Sequence, residues 1–300
     1  MNARSSVFED FHLHGGPAPE WNQRYLQMSC GVMRSSLADW SGDGVHAYRK
    51  WISERVVQQG GLPGARICLS VLGAEGSGRM RVQGREFGDA DLLVLRGGDD
   101  FEFHRPAGAE LLSLAFGMED FLACLDEMQL PVMLSTAGIM RPAPGVLGEL
   151  RRAIRSHSAG MQQGEPRDLL RVSCEALASA ADAAPQRLSS FAAAKLVKRC
   201  QDIAMAQAAP LQIEDLCRRL HTSRRTLQAS FNMVAGTTPL AYLRNLRLNA
   251  ARRRLMSSPA REVNVSQAAG EAGFDHFGRF AGDYKALFGE APSTTKRLVS

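Results

Sequence analysis

A chain of 300 residues, 45% hydrophobic and 22% charged, is long enough for two domains with separate cores. It has no run of about 18 apolar residues of the kind that spans a membrane. The net charge of +5 is unevenly placed: residues 1–186 hold 18 Lys+Arg against 23 Asp+Glu, and residues 187–300 hold 18 against 8. A basic second part is suited to neutralising phosphates and releasing counterions. The opening MNARSSVFEDFHLHGG lacks the apolar stretch of a secretory signal, which points to a cytoplasmic protein. Six scattered cysteines without a C-x-x-C pair read as reduced thiols, mostly buried.

The first part carries short β-like runs separated by glycine: ARICLSVL (65–72), GRMRVQGREF (78–87), ADLLVLR (90–96) and AELLSLAF (109–116). Their spacing predicts a β-sandwich or cupin-like barrel. In RMRVQG, outward arginines alternate with Met80 and Val82, and Gly84 serves the turn. Helices are predicted after Met118, with Phe121, Leu122, Leu125 and Met128 on one face, then over 144–157 and 166–183. Such a unit fits ligand sensing and dimerisation, with its effector unidentified. Trp21, Trp40, Trp51, Phe101 and Phe103 read first as core. His12 and His14 have no partner at cupin-type spacing, so neither a metal nor another cofactor is expected. His104-Arg105 could take an anion but reads first as a surface turn.

An Ala-rich stretch broken by Pro185 divides the chain into 1–185 and 186–300. A helix over about 190–208 is stopped by Pro210. IEDLCRRLHTSRRTLQASF then has the form of a helix-turn-helix unit, at about 213–235, with Ser223 as N-cap of its second helix. Leu227, Phe231 and Val234 face inward, while Arg224, Arg225, Gln228, Ala229 and Asn232 lie on the other side. Arg can bridge guanine O6/N7 and Gln adenine N6/N7, so this face is able to read base edges. Thr238-Pro239 opens a linker helix of about eighteen residues, roughly 27 Å, ending near Arg252, Arg253 and Arg254. Such a spacer can set two reading heads about one DNA turn, ~34 Å, apart. The arginines suit its C-terminal end and could meet phosphate.

A second unit follows at about 265–288, VSQAAGEAGFDHFGRFAGDYKALFG, with Phe277, Phe280, Tyr284 and Phe288 as its packing residues. His276, Arg279 and Lys285 face outward, and Arg279 is its main base-reading candidate. The overall expectation is an α+β protein: a barrel with helices, then an all-α domain with two helix-turn-helix units.

The pieces SRRTLQASF, GTTPLAYLRNLRLNAARRRL and AAGEAGFDHFGRFAGDYKALFGEAPS, in this order and spacing, resemble the DNA-binding domain of AraC/XylS transcription regulators over residues 190–298. The DHFGRFAGDYKALFGEAPS tail, with WNQRYLQ (21–27), resembles the branch holding regulators of ethanolamine and amino-acid catabolism. The resemblance implies a seven-helix domain reading successive major-groove segments of promoter DNA. It also implies contact with RNA polymerase, most often as an activator, and an effector-binding or homodimerising first domain. Many members carry an arginine where this chain has Ala229, and another where it has Gly282. Base reading is therefore expected to shift to Arg225, Gln228 and Arg279.

An enzyme reading finds no G-x-S-x-G, P-loop, H-E-x-x-H or Rossmann glycine pattern. A cupin-type metal enzyme with an accessory nucleic-acid-binding domain is the alternative. RNA binding lacks the aromatic-bearing strands of single-strand modules.

Overall fold

The computed structural model describes residues 2–8, 23–73, 78–130, 138–159, 165–180, 186–187, 192–207 and 211–298. The chain divides into two compact units. The first comprises Met1–Tyr25, Arg34–Ser53 and Gln58–Ser190; the second comprises Leu26–Met33, Glu54–Val57 and Phe191–Ser300.

In chain order the first strands are β1 (Asn2–Phe8), β2 (Gln23–Gln27), β3 (Ser35–Gly42), β4 (Val45–Ile52), β5 (Val56–Gly61), β6 (Arg66–Leu72) and β7 (Met80–Val82). Then come β8 (Arg85–Phe87), β9 (Leu92–Arg96), β10 (Asp100–Arg105), β11 (Glu110–Gly117), β12 (Gly138–Met140) and β13 (Gln186–Arg187). They pair as two sheets, β1-β3-β4-β11-β6-β9-β12-β13 and β2-β5-β10-β7-β8. No hydrogen-bonded strand pairing among the described residues joins the two into one closed ring.

The two-residue period of a strand sorts each residue to a face. On β6, Ile67, Leu69 and Val71 face one core while Cys68 and Leu72 face the other. The first core is closed by three helices, α1 (Met118–Glu127), α2 (Pro144–Ser158) and α3 (Pro166–Ala178), through Phe121, Leu150, Ile154, Leu169 and Leu177. The second core lies against Met80, Val82, Phe87, Phe101 and Phe103 of the smaller sheet. Gln83 and Gly84 both have positive φ, as a two-residue hairpin between β7 and β8 demands. Leu122, expected on the packed face of α1, is exposed, and Cys124 takes the inward place.

The second unit has six described α-helices: α4 (Ala192–Met205), α5 (Ile213–Arg219), α6 (Arg224–Ala235), α7 (Pro239–Met256), α8 (Val265–Glu271) and α9 (Phe277–Phe288). A 3₁₀ turn follows at Pro292–Thr294. Two lobes form. Val197, Cys200, Leu216, Leu227, Phe231 and Val234 make the first core; Val263, Ala268, Ala269, Phe280, Tyr284 and Phe288 make the second. Helix α7 belongs to both, giving Tyr242, Leu243 and Leu246 to one core and Leu248, Ala251 and Leu255 to the other. Phe277, read as a packing residue, is about half exposed (49%), and so is Leu240 (56%). Both sit in the first turn of their helices, where the core has not yet closed.

Candidate nucleic-acid interface

Helix α6 is fixed at both ends. Ser223 Oγ accepts from the Thr226 backbone N–H at 3.0 Å, and Gly236 ends the helix left-handed at φ +63°, its N–H donating to Asn232 O. The turn before it passes through His221 at φ +50°. Leu227, Phe231 and Val234 pin one side in the core. Arg225, Ala229 and Asn232 are therefore held outward at i, i+4 and i+7, with Gln228 half-buried between them. Gln228 donates to Asn232 Oδ1 at 3.3 Å, which ties these two amides together. Arg225 is exposed and makes no hydrogen bond or ion pair with any described residue. Arg224, its neighbour, pairs with Glu214 Oε1 of α5 at 3.2 Å, so its charge is partly answered within the protein. The two arginines thus differ in their partners, which sequence alone does not separate.

The second unit repeats the plan. Asn264 caps α8 through a reciprocal capping box with Gln267, at 2.8 and 2.9 Å. Gly273 turns at φ +81°, and α9 ends at Gly289 with φ +75°. His276 stands at the N-cap with an exposed side chain that makes no cap bond. Arg279 is exposed and without an ion pair among the described residues. Lys285 is exposed in the last turn, where a cation favours the helix dipole. Six residues on from Arg279, it lies about 120° around the helix and outside the Arg279 face. Gly282, about 60° from Arg279 around the helix, has nothing within 4 Å of where a Cβ would stand, and neither has Gly278.

Two of the arginines at the end of α7 already have partners within the protein. Arg252 is buried: its Nη1 donates to Glu290 Oε1 at 2.7 Å and to the Tyr284 hydroxyl at 3.2 Å, and its guanidinium lies 4.6 Å from the Phe288 ring centre. Arg254 pairs with Glu271 at 2.7 Å. Sequence reasoning also missed Arg247, which donates to Ala204 O at the end of α4 and Ala272 O at the end of α8. Burial lowers its pKa.

Comparison with known proteins agrees with this geometry. A family described as a helix-turn-helix domain matches residues 216–298. Over 87 residues the chain is 41% identical to the XylDLEGF operon transcriptional activator 1 of Pseudomonas putida, covering 29% of this chain and 26% of that one. Over 263 residues it is 27% identical to the transcriptional activator NphR of a Rhodococcus species, covering 82% of this chain and 73% of that one. Over its last third the chain is thus similar to operon regulators that carry such a domain. It is also similar to the solved AraC-like transcriptional activator CuxR, at 16% identity over 91% of this chain and 97% of that one, with a TM-score of 0.45. The chain spans about a quarter of the length of the operon regulators it matches near 40% identity (27% and 26%).

The first unit holds a second polar feature. His104 and Arg105, read as a surface turn, are buried on β10. Arg105 donates to Gln58 Oε1 at 3.2 Å, Lys50 O at 3.0 Å and Ala109 O at 3.1 Å. Lys50 donates to the Tyr25 hydroxyl and lies 3.9 Å from the centre of that ring. Burial and the neighbouring guanidinium hold the Lys50 ammonium well below its usual range, and burial brings Arg105 down to about 10. Trp40 sits edge-on to His157 in the helix-covered core, and Phe101 stacks on Phe103 in the core between the sheets, so these read as packing. His12, His14 and Trp21 lie outside the described residues.

Proposed function

We propose that this protein is a sequence-specific, double-stranded-DNA-binding transcription regulator, an activator of a catabolic or adaptive operon that responds to a small-molecule effector. The observation that carries the reading is the outward face of α6, where unpaired Arg225 stands beside Gln228 and Asn232, backed by a second such helix joined through α7. Arg225, Gln228 and Arg279 read base edges; Arg224, Asn232, His276 and Lys285 position the helices against the backbone. Residues 186–300 are the DNA-binding domain. Residues 1–185 are a cupin-like sensor that makes the protein a homodimer, and RNA polymerase is the further partner. No described helix is long and apolar enough to cross a membrane; action on promoters places the protein in the cytoplasm. The named relatives support the regulatory reading, since both are transcriptional activators.

The test is a shift assay with duplex from upstream of the gene in excess nonspecific competitor, followed by Arg225→Ala. Losing a bidentate base contact costs about 1–3 kcal/mol and relaxes preference in one half of the operator. Undiminished discrimination at every position would remove Arg225 from base reading. Absence of specific binding by the parent would remove the function.

A further inference from the structure

Two segments far from the C-terminal part in sequence, Leu26–Met33 and Glu54–Val57, belong to the compact unit that carries the helix-turn-helix lobes. Leu26, Met28 and Val57 are buried in the core of the first lobe. Gln27, between the first two, presents its peptide to the middle of α7. Its N–H donates to Asn249 Oδ1 at 2.9 Å, and Asn249 Nδ2 donates back to Gln27 O at 2.9 Å. One side-chain amide thus satisfies both polar groups of one peptide residue, as a neighbouring strand would. Asn245, one turn earlier, donates to Met28 O at 3.2 Å.

The same segment reaches the second lobe. Gln27 Nε2 donates to Ser29 O and Gly31 O, which shapes the loop, and to Leu287 O at 2.6 Å. Leu287 is in the last turn of α9, where helix carbonyls have no partner within the helix. The Gly31 N–H donates to that carbonyl too, at 3.1 Å. Next to it, a Cβ on Gly289 would stand 2.5 Å from Val32 Cγ2 and 3.2 Å from the Val32 nitrogen, so glycine there lets the segment pass. Gln27 and Asn249 are buried, at 3% and 1% exposure.

We infer that Leu26–Met33 is a strap that holds the two helix-turn-helix lobes in one relative orientation, with Gln27 and Asn249 as positioning residues for two-site DNA reading. Neither residue lies on a reading face; they act through the lobes they join. The inference rests on the proposed function, because a fixed orientation matters only if both lobes read one duplex.

The test uses the full chain and the operator fragment. Gln27→Glu keeps the side chain's size but sets a carboxylate against three carbonyl oxygens, and Gln27→Met removes the donors without adding charge. Asn249→Ala removes the partner on α7. Each is footprinted on operators with natural half-site spacing and with one base pair added or removed. The expected result is weaker protection of one half-site and about tenfold lower specific affinity, as when buried polar groups lose their partners. Preference for the natural spacing should also be lost, with base preference at the other half-site kept. Unchanged spacing preference with affinity within about twofold would overturn the strap. So would parallel loss of both half-sites together with a lowered Tm, the pattern of a purely structural element.

A second measurement needs no DNA. With Cys30 and Cys217 replaced by serine, spin labels at Met233→Cys and Gly282→Cys report the distance between α6 and α9. The Gln27 variants should broaden that distribution, and an unchanged width overturns the strap. A parent that binds no specific duplex strikes the proposed function instead, and the label distance still decides the strap.

Discussion

Arg252 distinguishes a DNA contact from an internal brace. As a phosphate contact, its removal would leave the fold intact and lower the slope of log affinity against log salt by about 0.9. As a brace, Arg252→Ala leaves that slope alone and costs stability. The side chain is 9% exposed and its Glu290 partner 33%. Removing one member of a fully buried pair costs about 3–5 kcal/mol, and a partner able to hydrate reduces that. Losing the stack on Phe288 adds about 1 kcal/mol to what remains. The net expectation is roughly 2–4 kcal/mol. For a unit of this size that is on the order of 8–16 °C in Tm. Tyr284 and Thr295 share the network, the tyrosine hydroxyl lying 2.6 Å from Thr295 Oγ1 and the threonine donating to Glu290 Oε1 at 3.0 Å. Glu290→Gln keeps an acceptor and should cost only about 1 kcal/mol. Thermal melts of the three proteins, with binding titrated from low to moderate salt, separate the cases. An unchanged Tm in Arg252→Ala with a slope reduced by about one would refute the brace.

Two further outcomes follow from groups outside the reading faces. Folded Lys50 gives up its proton well below the usual lysine value of 10.5, so between those two pH values the unfolded chain binds the extra proton and stability rises with pH. Lys50→Met should flatten this rise in urea unfolding measured up to about pH 10, and an unchanged slope would show that Lys50 does not set it. Gly282 lies in the interior of α9 with open space where a Cβ would stand, so Gly282→Ala should stabilise by about 1 kcal/mol. Gly270→Ala on α8, equally open, is the control. Specific affinity should fall only for Gly282→Ala, and an equal response in both would show that α9 does not approach DNA closely at that turn.

The reading helices were legible in the sequence because each is two-sided. Leu227, Phe231 and Val234 recur at helical spacing, and what lies between them is polar and outward. Ser223, Thr238 and Gly236 mark the ends by their own chemistry. Arg105 was not legible, because it stands just before the Pro106–Gly108 turn and polarity suggested the surface. Inside, its fork bonds the carbonyls of Lys50 and Ala109, and residue type says nothing of that. The strap lies beyond any local pattern, since Gln27 and Asn249 are 222 residues apart.

Helix α7 shows why a polar residue on a helix is a poor guide to its surface. An amphipathic helix would bury its leucines on one side and leave residues such as Asn249 exposed on the other. Instead, both lobes and the strap enclose it, and Arg247, Asn249 and Arg252 are all buried. Each of these is spent on a group that an apolar side chain could not satisfy: the helix-end carbonyls of Ala204 and Ala272, the Gln27 peptide, and the Glu290 carboxylate. Arg297 completes the set by donating to Leu255 O in the last turn of the helix and to Ser258 O and Val263 O beyond it. Two inserted residues near Asn249 would therefore strip these buried partners before they turned one lobe against the other. A helix of 18 residues can span roughly 27 Å, but it is the cores and polar ties on either side that hold α6 and α9 relative to each other. The relative aim of the two reading helices is a packing property, and the side chains that set it lie outside both reading faces.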